Sequence, residues 1–233
     1  MTSSVPAVQV QRTDGPSPRA VLLDMDGTLV DTEGFWWSAE SEVFAELGHV
    51  LGEEHRQVVI GGPMTRSVAH LIAVTGVRQT FDELSVLING RFTELIGRGV
   101  PLMPGARRLL TELAAHQVPT ALVSASHRHI IDIVLRSLGP ENFALSVAGD
   151  EVTHTKPHPE PYLTAAAGLG ADPADCVVVE DTLTGVASAE AAGCRVVAVP
   201  SLVPISAAPG RTVVTSLEQV DLTFLRSVMA PAT

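Results

Sequence analysis

The residues best suited to chemistry are carboxylates that end apolar runs. Asp24-Met25-Asp26-Gly27-Thr28-Leu29-Val30-Asp31 follows directly on Ala20-Val21-Leu22-Leu23, and Glu180-Asp181 follows Cys176-Val177-Val178-Val179. A bare Asp-x-Asp also suits a solvated turn. Here Gly27 permits a tight departure of the backbone, and the second acidic pair recurs at the end of a later run. Several carboxylates at one end of a sheet repel one another unless a cation joins them, and Mg²⁺ is the economical choice. Beside it Asp24 can act as a nucleophile. Asp26 can protonate a leaving oxygen and then serve as a base for water. A phosphoryl transition state spreads charge over its equatorial oxygens and needs a cation and hydrogen-bond donors around them. Lys156 offers the cation, while the Ser124 hydroxyl and the backbone N–H groups after it, from Ala125 onward, offer the donors.

Lys156 is the only lysine among 233 residues, whereas arginine occurs 14 times. Against 26 acidic residues this gives a formal net charge of −11. Without a basic block, nucleic acid and anionic membranes are not expected partners. A small phosphorylated substrate is, with its positive contacts few and local, and a monomer or weak homo-oligomer is expected. Apolar residues make up 45% of the chain and charged ones 18%, which describes a globular protein rather than a disordered one. Cys176 and Cys194 form neither a disulfide framework nor a metal-ligand pattern, and both read as buried core thiols. The N-terminus lacks a basic segment followed by an apolar one, and Pro200, Pro204 and Pro209 interrupt the late charge-free stretch. A cytoplasmic protein is the expectation.

The elements that must hold these residues alternate. Besides the two runs above, Thr120-Ala121-Leu122-Val123 stops at Ser124 and Arg195-Val196-Val197-Ala198-Val199 stops at Pro200. Such continuous runs suit strands buried on both faces of a parallel sheet. Helical spacing of apolar residues covers 106–116, 129–138 and 185–192. The fold class is therefore α/β, a doubly wound parallel sheet, with ligands beyond the carboxyl ends of the strands. A βαβ unit needs about 30 residues, and the first run and the Thr120 run lie about three times that apart. The excess predicts an inserted helical domain over 33–103, with the core over 19–32 and 104–233 and a flexible tail over 1–18. Within the insertion, amphipathic stripes run from Phe35 to Leu47 and from Leu84 to Ile96, with a shorter one through Val68, Leu71 and Ile72.

Four blocks in this order resemble the haloacid dehalogenase superfamily, in particular its phosphatase and β-phosphoglucomutase group with a helical cap. They are Asp24-Met25-Asp26-Gly27-Thr28, Leu122-Val123-Ser124-Ala125-Ser126, Thr155-Lys156-Pro157-His158-Pro159-Glu160-Pro161-Tyr162 and Glu180-Asp181-Thr182-Leu183-Thr184-Gly185. The resemblance spans Arg19 to about Pro200 and implies a Rossmann-like core. It implies Asp24 as an aspartyl-phosphate nucleophile and Asp26 as acid/base. It also implies Mg²⁺ held by Asp24, the Asp26 backbone carbonyl and Asp181 with Glu180 nearby, and Ser124, Ala125 and Lys156 as phosphate binders. Asp26 argues against C–Cl dehalogenation, and the absence of a cap lysine against phosphonate cleavage. A mutase resembling β-phosphoglucomutase carries a histidine five residues after Asp31, where this chain has Trp36. Hydrolysis of a sugar or polyol phosphate is the expected activity, with a mutase and a non-enzymatic, partner-binding member as alternatives.

Further candidates each have a plainer reading. Arg66, in the Gly61-Gly62-Pro63-Met64-Thr65-Arg66 stretch, can bind substrate or simply start a helix in solvent. Trp36 and Trp37 cannot share one helix face; one suits the insertion's core and the other a substrate cleft. Glu33 can touch a sugar hydroxyl or be a first-turn helix acid. Ser126 and His127 lie near the phosphate end, and His127 with Arg128 equally suits a solvated helix start. His154 and His158 are four apart, but Pro157 and Pro159 forbid a regular helix, so a metal pair is not expected there.

Overall fold

The structure is a computed structural model that describes residues 17–59 and 64–230. All of the expected tail except Ser17 and Pro18 lies outside the described residues, as does the 61–63 part of the Arg66 stretch.

Six parallel strands form one sheet: β1 Ala20–Leu23, β2 Thr120–Val123, β3 Leu145–Val147, β4 Cys176–Glu180, β5 Arg195–Ala198 and β6 Arg211–Val213. Their order is β3-β2-β1-β4-β5-β6. Alternate side chains serve opposite faces, as the two-residue strand period requires. Val21, Leu23, Leu122, Val177, Val179 and Val197 pack with the core-facing residues of α5 Ala106–Ala115, α6 Arg128–Leu138 and α9 Leu222–Met229. Ala20, Leu22, Ala121, Val123, Val178 and Val196 pack with α7 Glu160–Gly168 and α8 Leu183–Ala191. Covering on both faces explains why the central strands read as unbroken apolar runs.

Chain progression reverses between β1 and β4, which are paired from Ala20↔Cys176 to Leu23↔Val179. The crevice beyond their carboxyl ends is the topological switch point, where open α/β sheets bind ligands. Asp24 and the Glu180-Asp181 pair stand there.

Between β1 and α5 lie α1 Glu33–Glu46, α2 Glu53–Val59, α3 Met64–Thr75 and α4 Phe81–Ile96. Phe44 of α1 and Leu84, Ile88 and Phe92 of α4 are fully buried. Arg91 ties the pair together from outside, reaching Glu42 and Glu46 at 2.6 Å each. Thr80 and Glu83 form a reciprocal capping box at the start of α4. Strands β3 and β6 and helices α2, α7 and α9 go beyond the sequence expectation. The two strands have three residues each, too few for a pattern, and α7 begins just after Pro159 with Pro161 in its first turn, where prolines are tolerated. Among the described residues no helix is long and apolar enough to cross a membrane.

Among the described residues of the helical insertion, Glu40 is the one charged-type residue that is buried, at 5% exposure. Burial, then repulsion from Glu33, pushes its carboxyl up to about 7 against an opposing pull from Ser67. A carboxyl raised in the folded state costs nothing while it is protonated in both states, and costs increasingly as pH rises toward its folded value. At about 1.4 kcal/mol per tenfold change in proton affinity, Glu40 should lower stability by about 3 kcal/mol between pH 5 and pH 8. Glu40→Gln, which imitates the protonated form, should unfold in urea with a correspondingly flatter pH dependence. Equal slopes for the two proteins would show that the carboxyl is not held in this way.

Candidate active site

β1 delivers Asp24 to the switch point, and the Asp24 backbone N–H donates to the Val179 carbonyl at 3.0 Å, extending the β1–β4 register by one residue. The chain then turns sharply: Leu29 and Val30 both donate to the Met25 carbonyl, and Gly27 donates to Val30. Gly27 has φ +80°, and a Cβ there would overlap the Asp181 carboxylate. Glycine is therefore required by both conformation and space.

Lys156 reaches this point from the loop before α7. Its ammonium donates to Asp24 Oδ1 at 2.7 Å, Glu180 Oε1 at 2.7 Å and the Val123 carbonyl at 2.9 Å, which uses all three of its protons. The side chain is 5% exposed. Burial by itself would lower its pKa, but Asp24 and Glu180 outweigh it and hold the ammonium well above the ordinary lysine range. Tyr162 of α7 lies beneath, its ring centroid 4.9 Å from Nζ and its hydroxyl donating to Glu180 Oε1 at 2.9 Å. Glu180 Oε2 accepts from the Asp181 and Thr182 N–H groups and the Thr182 hydroxyl at 3.0–3.1 Å. Gly185 leaves the room for this: a Cβ there would overlap the Glu180 carboxylate. Glu180 is thus saturated and fixed.

Asp24 is not. Its Oδ2 is buried and, among the described residues, has no hydrogen-bond partner. Burial, then repulsion from Glu180, raises the Asp24 pKa well above the ordinary carboxylate range, with Lys156 opposing. Asp181, pushed up to about 7 mainly by burial, holds its oxygens near Thr28 at 3.4 Å and Ser201 at 2.5 Å. One oxygen each from Asp24, Glu180 and Asp181 lies within 4.8 Å of the others. Three buried carboxylates around one ammonium, one of them with an orphan oxygen, leave uncompensated negative charge. A hard divalent cation with oxygen ligands fits that donor set.

The Asp26 carboxylate stands outside this group. Its Oδ1 accepts from Thr32 at 2.8 Å, and its Oδ2 from Ser124 at 3.1 Å and Ser126 at 3.0 Å. Ser124 also receives the Ser126 N–H at 3.0 Å, which closes the turn after β2. Ala125 is exposed at that turn, and a Cβ on Gly149 would overlap its carbonyl. The structure therefore brings Asp24, Asp26, Ser124, Ser126, Lys156, Glu180 and Asp181 to one end of the sheet.

The other candidates are placed differently. Trp36 stacks on Phe92 with ring centroids 3.7 Å apart and 10° between planes, so it serves the packing of α1 on α4. The half-buried Trp37 also packs against that core. Arg66 donates to the Val58 carbonyl at 3.2 Å, within the insertion. His127 occupies the N-cap of α6 with its ring against His129 at 6.0 Å. The amide of Arg128 is taken by Asp150 at 2.9 Å, so this helix start is already capped. Glu33 opens α1 and raises the pKa of Glu40. Thr28, Thr32, Tyr162 and Ser201 escape a reading by residue type, because hydroxyls that support carboxylates have no spacing signature. Tyr162, the only tyrosine in the chain, did stand at the end of the Lys156 block.

A family model described as haloacid dehalogenase-like hydrolase matches residues 21–199. The bifunctional riboflavin kinase/FMN phosphatase of Arabidopsis thaliana is 34% identical over 78% of this chain, and the match spans 48% of that longer protein. Hexitol phosphatase B of Escherichia coli is 29% identical over 78% of this chain and 83% of its own. Among solved structures, a β-phosphoglucomutase homologue from Thermotoga maritima superimposes with a TM-score of 0.77 at 26% identity, covering 90% of this chain and 99% of its own.

Removing one partner of a buried charge cluster leaves the others uncompensated. In metal-free buffer Lys156→Ala should lower the free energy of unfolding by about 3 kcal/mol or more. Urea denaturation in the presence of a chelator measures this, and a loss below about 1 kcal/mol, the scale of an exposed pair, would contradict the assignment.

Proposed function

The chain belongs to the haloacid dehalogenase-like hydrolases, and from that premise we propose that it is a Mg²⁺-dependent phosphatase of sugar or polyol phosphates working through an aspartyl-phosphate. The observation that carries this reading is the state of Asp24, a buried carboxylate with Oδ1 held by Lys156 and Oδ2 without a partner. A nucleophile must be fixed and yet keep one lone pair unused.

In the first step Asp24 forms a bond to phosphorus and the bond to the leaving oxygen breaks, with Asp26 giving that oxygen its proton. In the second, Asp26 takes a proton from water as its oxygen bonds to phosphorus. The Asp24–phosphorus bond then breaks and inorganic phosphate leaves. Lys156 balances charge on Asp24 and on the phosphoryl oxygens throughout, and the Ala125 N–H and the Ser124 hydroxyl, once it turns from Asp26, bind those oxygens. Asp24, the Asp26 carbonyl and Asp181 would hold Mg²⁺, with Glu180 fixing Asp181 and Lys156 from behind. When bound, the ion supplies electrostatic stabilisation of the phosphoryl charge. Residues 33–103 serve as a cap over the site. The buried free thiols Cys176 and Cys194 suit a reducing cytoplasm.

The name hexitol phosphatase B supports the polyol class, and the Arabidopsis relative makes FMN a compound to include in a substrate screen. The likeness to a β-phosphoglucomutase homologue keeps phosphosugar isomerisation as the second reading. Against it stands Trp36, which packs on Phe92 where a mutase of this type carries a proton-transferring histidine.

With a panel of hexitol phosphates, sugar phosphates and FMN, phosphate release should require Mg²⁺ and stop on chelation. Asp24→Asn should abolish it, and Asp26→Asn should slow it by about 10²- to 10⁴-fold. Full activity in Asp24→Asn would refute the mechanism. Incubation with β-glucose 1-phosphate should give free phosphate; glucose 6-phosphate without net phosphate release would establish the mutase reading instead.

A further inference from the structure

Two histidines bracket the lone lysine. His154 and His158 stand two residues either side of Lys156, and the next acidic side chain, Glu160, opens α7. The prolines do prevent a regular helix, yet the loop they shape brings the imidazoles close together, with centroids 4.5 Å apart and a 34° tilt between planes. His154 Nδ1 lies 3.0 Å and His158 Nδ1 3.9 Å from the same oxygen, Glu160 Oε2. One donor atom from each of the three residues falls within 4.8 Å of the others.

We propose that His154, His158 and Glu160 form a second cation site, for a borderline transition-metal ion such as Zn²⁺, distinct from the acidic cluster at Asp24. Two imidazoles and one carboxylate are the donors that Zn²⁺ selects, whereas Mg²⁺ and Ca²⁺ prefer all-oxygen sets. A tetrahedral ion about 2.0–2.1 Å from each donor places the donors about 3.3 Å apart. The two separations from Glu160 Oε2, 3.0 and 3.9 Å, bracket that value, and all three donors lie within 4.8 Å of one another.

The tautomers also suit capture. His158 Nδ1 accepts the Glu160 N–H at 3.2 Å and therefore already presents a lone pair, which the ion takes over from a weak bond. His154 Nδ1 lies 3.0 Å from Glu160 Oε2, and binding the ion through Nδ1 leaves the ring proton on Nε2. The Glu160 carboxylate keeps its backbone bonds to Thr153 at 2.7 Å and His154 at 3.0 Å, which hold it in place as a ligand. The His158 carbonyl is anchored to Ser188 of α8 at 2.6 Å. Side-chain exposures of 61% for His154 and 49% for His158 leave the site open to ions from solution, with water as the fourth ligand. An ion here would tie both flanks of Lys156 to the start of α7.

The test is equilibrium dialysis of the 233-residue protein against micromolar Zn²⁺ in a large excess of Mg²⁺, which keeps the acidic cluster occupied. The wild type should bind one equivalent, and His154→Ala/His158→Ala should bind it at least tenfold more weakly while melting at the wild-type temperature in the absence of zinc. Equal zinc affinity in the two proteins, or no binding by the wild type, would overturn the proposal. In the same titration, followed by NMR on the wild type, the ring protons of His154 and His158 should shift first. Shifts confined to other histidines, such as His55 and His70, would overturn it even if the double variant failed to fold.

Discussion

The structure depends on one buried ammonium shared by two carboxylates. Lys156 lies 2.7 Å from both Asp24 and Glu180, and a third contact to the Val123 carbonyl leaves none of its protons unused. Removing three charges from water is costly, and the Coulombic return covers that cost only when geometry and hydrogen bonding are complete. That condition dictates much of the surrounding design. The β1–β4 register places Asp24 beside Glu180, Tyr162 and Thr182 complete the glutamate's bonds, and Gly185 and Gly27 leave room for the Glu180 and Asp181 carboxylates. The balance is still incomplete, because Asp24 Oδ2 has no partner among the described residues and burial pushes the Asp181 carboxyl up to about 7. That residual charge is what the proposed cation would offset.

This also gives physical content to the charge composition. A chain with a net charge of −11 has a poor long-range field for a phosphate ester. Attraction must come from a short-range, low-dielectric arrangement, and there one compact ammonium is worth more than several exposed guanidinium groups. The arginines are used elsewhere. Arg91 staples α1 to α4, Arg108 gathers the carbonyls of Leu217, Glu218 and Val220, and Arg211 pairs with Glu190.

What could be read in the sequence follows burial. The runs that became β1, β2, β4 and β5 are legible because strands covered on both faces must be continuously apolar, and a polar residue at their ends marks the ligand side of the sheet. β3 and β6 are short, and β6 is only half-buried along its length, so neither leaves a pattern. Asp24, Asp26, Ser124, Lys156, Glu180 and Asp181 follow from residue type and order. The residues meant to face substrate do not, because helix direction is decided by packing: Trp36 finds Phe92 and Arg66 finds a carbonyl of its own insertion. The supporting hydroxyls were invisible for another reason. Thr32 is the residue before α1 and holds Asp26 at 2.8 Å, so the base of the insertion and the proposed acid/base are mechanically joined, and a lone threonine carries no signal of that role.

If Asp24 accepts the phosphoryl group and Asp26 completes its release, the covalent species can be trapped. With p-nitrophenyl phosphate, whose leaving group departs without a proton, Asp26→Asn should still pass the first step and stall at the second, so rapid acid quench after mixing in the presence of Mg²⁺, followed by peptic digestion and mass spectrometry, should find one phosphoryl group on Asp24. Phosphorylation of a different side chain, or continued phosphate release with no modified peptide at any time, would contradict the account.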